Sequence, residues 1–240
     1  MKSTIYGLAK DFYHNTLGLG YKGKPPVGKV DFGDLRRKLP LTRNFGYDRG
    51  GAIDRYFIES FLEENKELVK GRVLEIKDGS YAKKYGGDKI TQLDILDVDE
   101  DNPEATIIAD LSKADSVPSN VYDCIILTQT LQLIFDVKGA IEHCYRLLKP
   151  NGILLVTIPG ITQILYSELG KTWHWSFSEA SSTQLFQTYF APENIDLKVY
   201  GNVLVASALL YGLSVKELKK EELDFKDPDY QVVITVKAKK

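Results

Sequence analysis

The sequence predicts an α/β fold, a doubly wound, seven-stranded and mostly parallel sheet that follows an N-terminal cap. Short apolar runs, typical of buried strands, alternate with segments of helical periodicity along most of the 240 residues. One run, 122–130, is almost continuously apolar, as expected of a strand covered on both faces. No repeat or linker interrupts the alternation. We therefore expect one domain over 51–240, with residues 1–50 as a cap or extension.

The elements follow one another in a regular order. Residues 1–50 are rich in Gly, aromatic and basic residues, which favours irregular structure. Segment 53–69 places most of its apolar residues on one face at helical spacing, which predicts a helix. Further helices are predicted at 137–148, 182–190 and 205–213. The seven predicted strands are 72–76, 89–96, 105–111, 122–130, 153–159, 196–200 and 230–237.

Composition excludes several classes of protein. The chain is 43% hydrophobic and 27% charged, with a net charge of −2, so a nucleic acid or an anionic membrane is not an expected partner. Two cysteines, Cys124 and Cys144, fall in apolar or helical patterns and are expected to be buried thiols. The longest apolar run, 203–213, is shorter than the roughly 20 residues of a membrane span. We expect a cytoplasmic monomer or homodimer without a metal.

Polar residues at the ends of the predicted strands indicate the ligand. In a doubly wound sheet the ligand binds beyond the carboxyl ends of the strands. Acidic residues are predicted to close the second and third strands, Asp94 and Asp110, and they suit a ribose and an adenine amine. The glycines that a pyrophosphate requires are absent after the first strand, which disfavours a dinucleotide. S-adenosylmethionine has no phosphate, so the pattern favours an adenosyl ligand of this kind.

Five segments in order then resemble the motifs of class I S-adenosylmethionine-dependent methyltransferases. Segment 122–136 is similar to the F-D-x-h-x-x-x-x-x-L-x-H pattern of the small-molecule "type 11" group, and 145–159 to its L-K-P-G-G-x-L pattern. Segment 43–62 resembles bacterial methyltransferases encoded near glycosyltransferases and natural-product genes. The resemblance implies a Rossmann-like methyltransferase fold with S-adenosyl-L-methionine as cofactor. The other segments are V-L-E-I-K-D-G (73–79), L-D-I (93–95) and A-D-L (109–111).

The turn after the first strand supplies three candidate cofactor residues. The resemblance implies that Glu75 organises the methionine end of the cofactor; the alternative is an acid that caps the following loop. Gly79 is expected to allow close backbone approach, or to be a turn glycine with positive φ. Lys77 stands where the family usually has glycine, and we expect its ammonium to turn toward solvent or toward the cofactor's carboxylate.

The remaining candidate cofactor residues follow the later strands. Asp94 is expected to bind the ribose, and Asp110 either to contact adenine or to cap a helix. Thr128 and Gln129 break an apolar strand at its carboxyl end, where polar groups commonly line a pocket. Leu111 completes the A-D-L motif.

Two regions are candidates for binding the methyl acceptor. The resemblance places 171–177 over the acceptor, so His174 is a candidate general base; the alternative is an aromatic surface cluster. Before the core, a polar and aromatic group either forms a salt-bridged cap or binds an anionic or hydroxyl-rich acceptor. The candidate acceptor-binding residues are Arg49, Arg55, Tyr56, Trp173 and Trp175.

The function expected from these features is methyl transfer to an oxygen or nitrogen of a small molecule, saccharide or peptide natural product. The alternative is a binding or scaffold protein that keeps the fold but is catalytically impaired. Two departures from the family pattern favour that alternative, Lys77 and Tyr81, both at positions usually held by glycine.

Overall fold

The computed structural model describes residues 25–166 and 169–240. The chain divides into two units, 1–38 and 39–240. Within the described part of the first unit, a single 3-10 turn at Gly33–Leu35 is the regular element. Most of the predicted extension, residues 1–24, lies outside the described residues. Residues 39–50, which we assigned to the extension, belong to the second unit.

The second unit is built on one seven-stranded sheet, in the order β3-β2-β1-β4-β5-β7-β6. Strands β1 to β5 pair in parallel, and β7 is antiparallel to both of its neighbours. The predicted mostly parallel sheet of seven strands is therefore confirmed. The strands are β1 (Gly71–Ile76), β2 (Ile90–Asp97), β3 (Ile107–Ile108), β4 (Tyr122–Thr128), β5 (Leu148–Pro159), β6 (Ile195–Tyr200) and β7 (Val233–Lys239).

Six helices accompany the sheet in the described part of the chain: α1 (Ile53–Glu64), α2 (Ser80–Gly86), α3 (Val137–Leu147), α4 (Glu179–Gln187), α5 (Val203–Tyr211) and α6 (Lys220–Asp224). The short helix α6 is absent from our sequence prediction, because five residues hold too little periodicity to be recognised. None of the helices described in 25–166 and 169–240 combines the length and the apolar character that crossing a bilayer requires.

Alternation along the central strands produces two hydrophobic layers. In β4, Ile125 and Leu127 pack with α3 and α4, whereas Cys124 and Ile126 pack with α1, α2 and α5. Successive side chains of a strand point to opposite faces, so a continuously apolar strand serves both layers. The two cysteines are buried free thiols, as expected.

Strand β5 is longer than its predicted range of 153–159. Its partner register jumps from Tyr122–Leu148 to Cys124–Ile153, so the K-P-N-G segment forms an irregularity within the strand. Asn151, at the turn of this segment, has φ +67°.

Candidate functional site

The topological switch point of the sheet lies between β1 and β4. Strands β1 and β4 are neighbours, and the chain winds outward from them in opposite directions. Ligands of such sheets bind in the crevice outside the carboxyl ends of these strands. The residues that end them are Ile76 in β1, Asp97 in β2 and Thr128 in β4.

Glu75 connects the end of β1 to the helix that follows. Its carboxylate accepts hydrogen bonds from the backbone N–H of Tyr81 (3.2 Å) and of Ala82 (2.8 Å) in the first turn of α2. The side chain is only 3% exposed. Burial raises the pKa of Glu75 to about 7, although the two N–H donors oppose this shift. The structure thus shows the capping role, and a role toward the cofactor stays a prediction.

Lys77 adopts the backbone conformation that usually requires glycine. Its φ is +75°, and its side chain is exposed. The backbone is fixed on both sides, since Lys77 N–H donates to the Leu96 carbonyl (2.9 Å) and the Lys77 carbonyl accepts from the Asn102 side chain (2.6 Å). The lysine therefore keeps the turn geometry at some conformational cost.

Gly79 is a glycine for reasons of packing. Its φ is −102°, so our alternative of a turn glycine with positive φ is wrong. A Cβ at this position would lie 2.8 Å from Leu93 Cδ2 and 3.2 Å from Ile95 Cδ1. Close approach of α2 to β2 is what excludes a side chain here.

Asp94 does not end the second strand, contrary to the prediction. It pairs with Leu74 in mid-strand, and β2 continues to Asp97. Its carboxylate accepts from Arg72 Nε (2.7 Å) and from Gln92 Nε2 (2.9 Å). The alternation L-D-I places Asp94 on a buried face, where its carboxylate binds the guanidinium of Arg72 on the neighbouring strand.

Asp97 is the acidic residue at the carboxyl end of β2, and our sequence analysis missed it. Its Oδ1 accepts from the N–H groups of Val98 (2.7 Å) and Asp99 (3.2 Å), and its Oδ2 from Asn102 Nδ2 (2.6 Å). A carboxylate offers about four acceptor positions, so one stays available. The signal was present in the sequence: Asp97 is the first acid after the last apolar residue of the strand.

Asp110 and Leu111 follow β3. Asp110 caps a 3-10 turn (Leu111–Lys113), accepting from the Ser112 N–H (2.9 Å) and hydroxyl (2.7 Å) through Oδ1. The capping alternative is therefore observed, and contact with adenine stays a prediction for this exposed residue. Leu111 is 2% exposed and belongs to the hydrophobic core.

Thr128 and Gln129 stand at the end of β4, next to β1. The Thr128 carbonyl accepts from the Thr130 hydroxyl (2.9 Å). Gln129 has φ +48°, a strained conformation for a residue with a side chain, and its N–H donates to the Thr157 carbonyl (2.8 Å). Gln132 Nε2 donates to the Gln129 carbonyl (2.7 Å), while Gln132 Oε1 is buried without a partner in the described ranges.

The segment around His174 is tied to this same end of β4. The His174 N–H donates to the carbonyl of Gln132 (2.8 Å), and its exposed imidazole makes a T-shaped contact with the Phe135 ring, with the ring centroids 5.4 Å apart. Trp175 stacks on Phe135 at 5.8 Å, and its indole N–H donates to the Ile134 carbonyl (3.0 Å). Trp173 is half-buried. An aromatic cluster is therefore present, as the alternative interpretation expected.

The candidate acceptor-binding residues before the core bind different kinds of partner. Arg49 binds the carboxylate of Glu217, and the Tyr56 hydroxyl donates to Asp224 Oδ1 (2.6 Å). Both side chains thus bind acidic residues of the chain itself, as expected if this segment forms a salt-bridged cap. Arg55 is different, because its guanidinium bonds to neutral hydroxyl groups.

The sequence and the fold were compared with known proteins. The family described as a methyltransferase domain matches residues 49–195, which is more than half of the chain. An S-adenosylmethionine-dependent methyltransferase of Archaeoglobus fulgidus is similar in structure, with a TM-score of 0.52 and 14% identity over 82% of this chain and 97% of that one. A protein of Thermotoga maritima described as a possible histamine N-methyltransferase has a TM-score of 0.52 and 17% identity over 81% and 94% of the two chains.

Among curated proteins, a probable polyketide synthase 5 of Dictyostelium discoideum is 33% identical over 76 residues. This match covers 31% of the present chain and 3% of the relative. The chain thus spans a small fraction of the curated proteins it resembles.

Proposed function

The chain belongs to the methyltransferase-domain family, and from that premise we propose that it methylates an oxygen or nitrogen of a small molecule, saccharide or peptide natural product. The family makes it a class I methyltransferase with S-adenosylmethionine as cofactor, as the sequence motifs implied. The acceptor is the part we propose. A natural-product acceptor is supported by the 76-residue similarity to proteins named polyketide synthases.

One observation carries the assignment of the cofactor site. At the switch point the carboxyl ends of β1, β2 and β4 lie side by side and present Asp97 and Gln129. These residues fit the cofactor chemically. A carboxylate with a free acceptor position suits ribose hydroxyls, and a second acid, Asp110, retains an oxygen without a partner in the described ranges.

When bound, S-adenosylmethionine supplies an electrophilic methyl group on a sulfonium. The residues of this chain would then hold and orient the cofactor and shield the reacting groups from water. Asp97 would accept hydrogen bonds from the ribose hydroxyl groups, and Glu75 holds the first turn of α2 through the N–H groups of Tyr81 and Ala82. Alignment and exclusion of water are the main tasks of the protein in such a transfer.

On the acceptor side we propose His174 as the group that removes a proton. Its backbone bond to Gln132 holds the segment at the end of β4, and its imidazole is exposed. Trp175 lines a groove of about 380 Å³ together with Phe177, Val137 and Leu185. An aromatic wall of this kind suits an acceptor with apolar ring faces.

The test begins with titration calorimetry using S-adenosylhomocysteine. No binding at about 1 mM ligand would contradict the cofactor site. Panels of hydroxylated small molecules, sugars and peptides, incubated with methyl-labelled cofactor, then identify the acceptor class. In His174→Asn we expect unchanged cofactor affinity and methyl transfer slowed about 10²-fold or more, provided that the acceptor must lose a proton. An unchanged rate would remove His174 from the mechanism.

A further inference from the structure

The guanidinium of Arg55 makes hydrogen bonds to two tyrosine hydroxyl groups. Its Nε donates to the Tyr47 hydroxyl (2.6 Å) and its Nη1 to the Tyr81 hydroxyl (2.8 Å). In the described ranges its Nη2 has no hydrogen-bond partner. Both partners are neutral, so these two hydrogen bonds do not compensate the positive charge of the guanidinium.

Both tyrosines retain a proton to donate. Each hydroxyl oxygen accepts from Arg55, so each O–H hydrogen is free for another acceptor. Burial raises the pKa of Tyr81, which keeps its phenol protonated, although Arg55 opposes this shift. Within the described residues, unused donors therefore remain around Arg55, namely the N–H groups of its Nη2 and the O–H groups of the two tyrosines.

The nearby carboxylates do not complete this group. Asp54 lies beside Arg55 in the chain, but its Oδ1 is buried without a hydrogen-bond partner, and burial raises its pKa. Glu59 lines the same cavity, but its carboxylate binds Lys84 Nζ at 2.6 Å. In the described part of the chain neither acid makes a hydrogen bond to the guanidinium, although Asp54 attracts it through space.

A cavity gives a ligand access to these donors. It measures about 360 Å³ and is lined by Tyr47, Arg55, Tyr56 and Glu59, among others. That volume lies within the range of small-molecule sites, roughly 300–1,000 Å³. Tyr81 connects Arg55 with the end of β1, because its hydroxyl accepts from Arg55 and its N–H donates to Glu75.

We propose that Arg55 and Tyr47 bind an oxyanion, a carboxylate or phosphate group, and that Tyr81 orients the guanidinium for it. Charge-assisted hydrogen bonds from a fixed guanidinium fork are the usual means by which proteins hold such groups. The proposal rests on the proposed function for its setting beside the cofactor crevice. The oxyanion has two possible sources, the carboxylate of the cofactor or an anionic group of the acceptor.

The experiment uses Tyr47→Phe and Arg55→Lys, with Tyr85→Phe as matched control. Tyr85 stacks on Tyr81, and its hydroxyl already donates to the Glu59 carbonyl (3.3 Å). Calorimetry compares S-adenosylhomocysteine with its decarboxylated analogue. Nuclear magnetic resonance follows inorganic phosphate binding to the free protein and to the S-adenosylhomocysteine-loaded protein, at constant ionic strength.

If the cofactor supplies the carboxylate, both variants lower the affinity for S-adenosylhomocysteine about tenfold and leave the affinity for the decarboxylated analogue unchanged. Phosphate then also competes with S-adenosylhomocysteine for the wild-type protein. If the acceptor supplies the anion, both nucleosides bind all variants equally, and only phosphate binding to the loaded protein falls about tenfold. If both variants bind S-adenosylhomocysteine and phosphate with the affinities of the wild type, the proposal is overturned. A wild type that binds phosphate through Arg55 but no S-adenosylhomocysteine would overturn the cofactor site instead and leave this site standing.

Discussion

The side chain of Arg72 in β1 binds the carboxylate of Asp94 in β2 at 2.7 Å, three residues before the carboxyl end of β2. This pair occupies a buried face of the sheet, with Asp94 at 6% exposure. Asp94 therefore joins two strands. The acidic residue at the carboxyl end of β2 is Asp97.

For Asp94→Ala we expect a loss of stability with little effect on the cofactor. Removing the carboxylate leaves Arg72 without its partner, which costs about 1–3 kcal/mol of unfolding free energy. Urea denaturation measures that loss, and calorimetry with S-adenosylhomocysteine measures affinity at a temperature where the variant is folded. A variant of unchanged stability that loses affinity tenfold would return Asp94 to the cofactor site.

For Asp97→Asn we expect the opposite pattern. The amide keeps the size of the side chain but loses the charge-assisted bonds to the ribose, so affinity for S-adenosylhomocysteine should fall about tenfold or more. Asp99→Asn is the control, because Asp99 Oδ1 receives the N–H of Asp101 (3.0 Å) on the same loop. Equal effects of the two substitutions would mean that loop geometry, and not the ribose, governs binding.

Substituting Lys77 separates the backbone from the ammonium. Glycine relieves a left-handed strain of about 1–2 kcal/mol but adds about 0.5–1 kcal/mol of chain entropy, so we expect Lys77→Gly to be slightly more stable. Lys77→Ala keeps the strain and removes the charge. Both variants should bind S-adenosylhomocysteine within about threefold of wild type, since the side chain is exposed. A rise by several orders of magnitude in Lys77→Gly would instead indicate a naturally impaired site.

Glu75 should make stability depend on pH. Its pKa in the folded chain is about 7, above the value of 4.5 for a free side chain, mainly because of burial. The folded state therefore holds this proton more tightly, and the stabilisation is complete below pH 4.5 and is lost as pH rises through 7. Relative to Glu75→Gln, wild type should lose about 3 kcal/mol over that range. Urea midpoints from pH 5 to 8 measure the difference, and parallel curves for the two proteins would contradict the prediction.

Periodicity made most of the fold predictable. The apolar run of β4 indicated a strand buried on both faces, and two consecutive residues of that strand, Ile125 and Ile126, do pack into opposite hydrophobic layers. The residues at which strands end were harder to predict from the sequence. Strand β2 was expected to end at residue 96 with Asp94 as its closing acid, but it extends one residue further, so the acid at its carboxyl end is Asp97.

The sequence by itself determined the doubly wound sheet, the methyltransferase family and the cofactor, because these depend on the order and spacing of apolar and polar residues. Only the tertiary structure decided which charged groups are available. Arg49 binds Glu217, 168 residues away, and Asp94 binds Arg72 on the neighbouring strand, whereas the hydrogen bonds of the Arg55 guanidinium within the described residues go to hydroxyl groups. Whether a charge is neutralised depends on partners that folding brings from distant parts of the chain, and no local pattern records them.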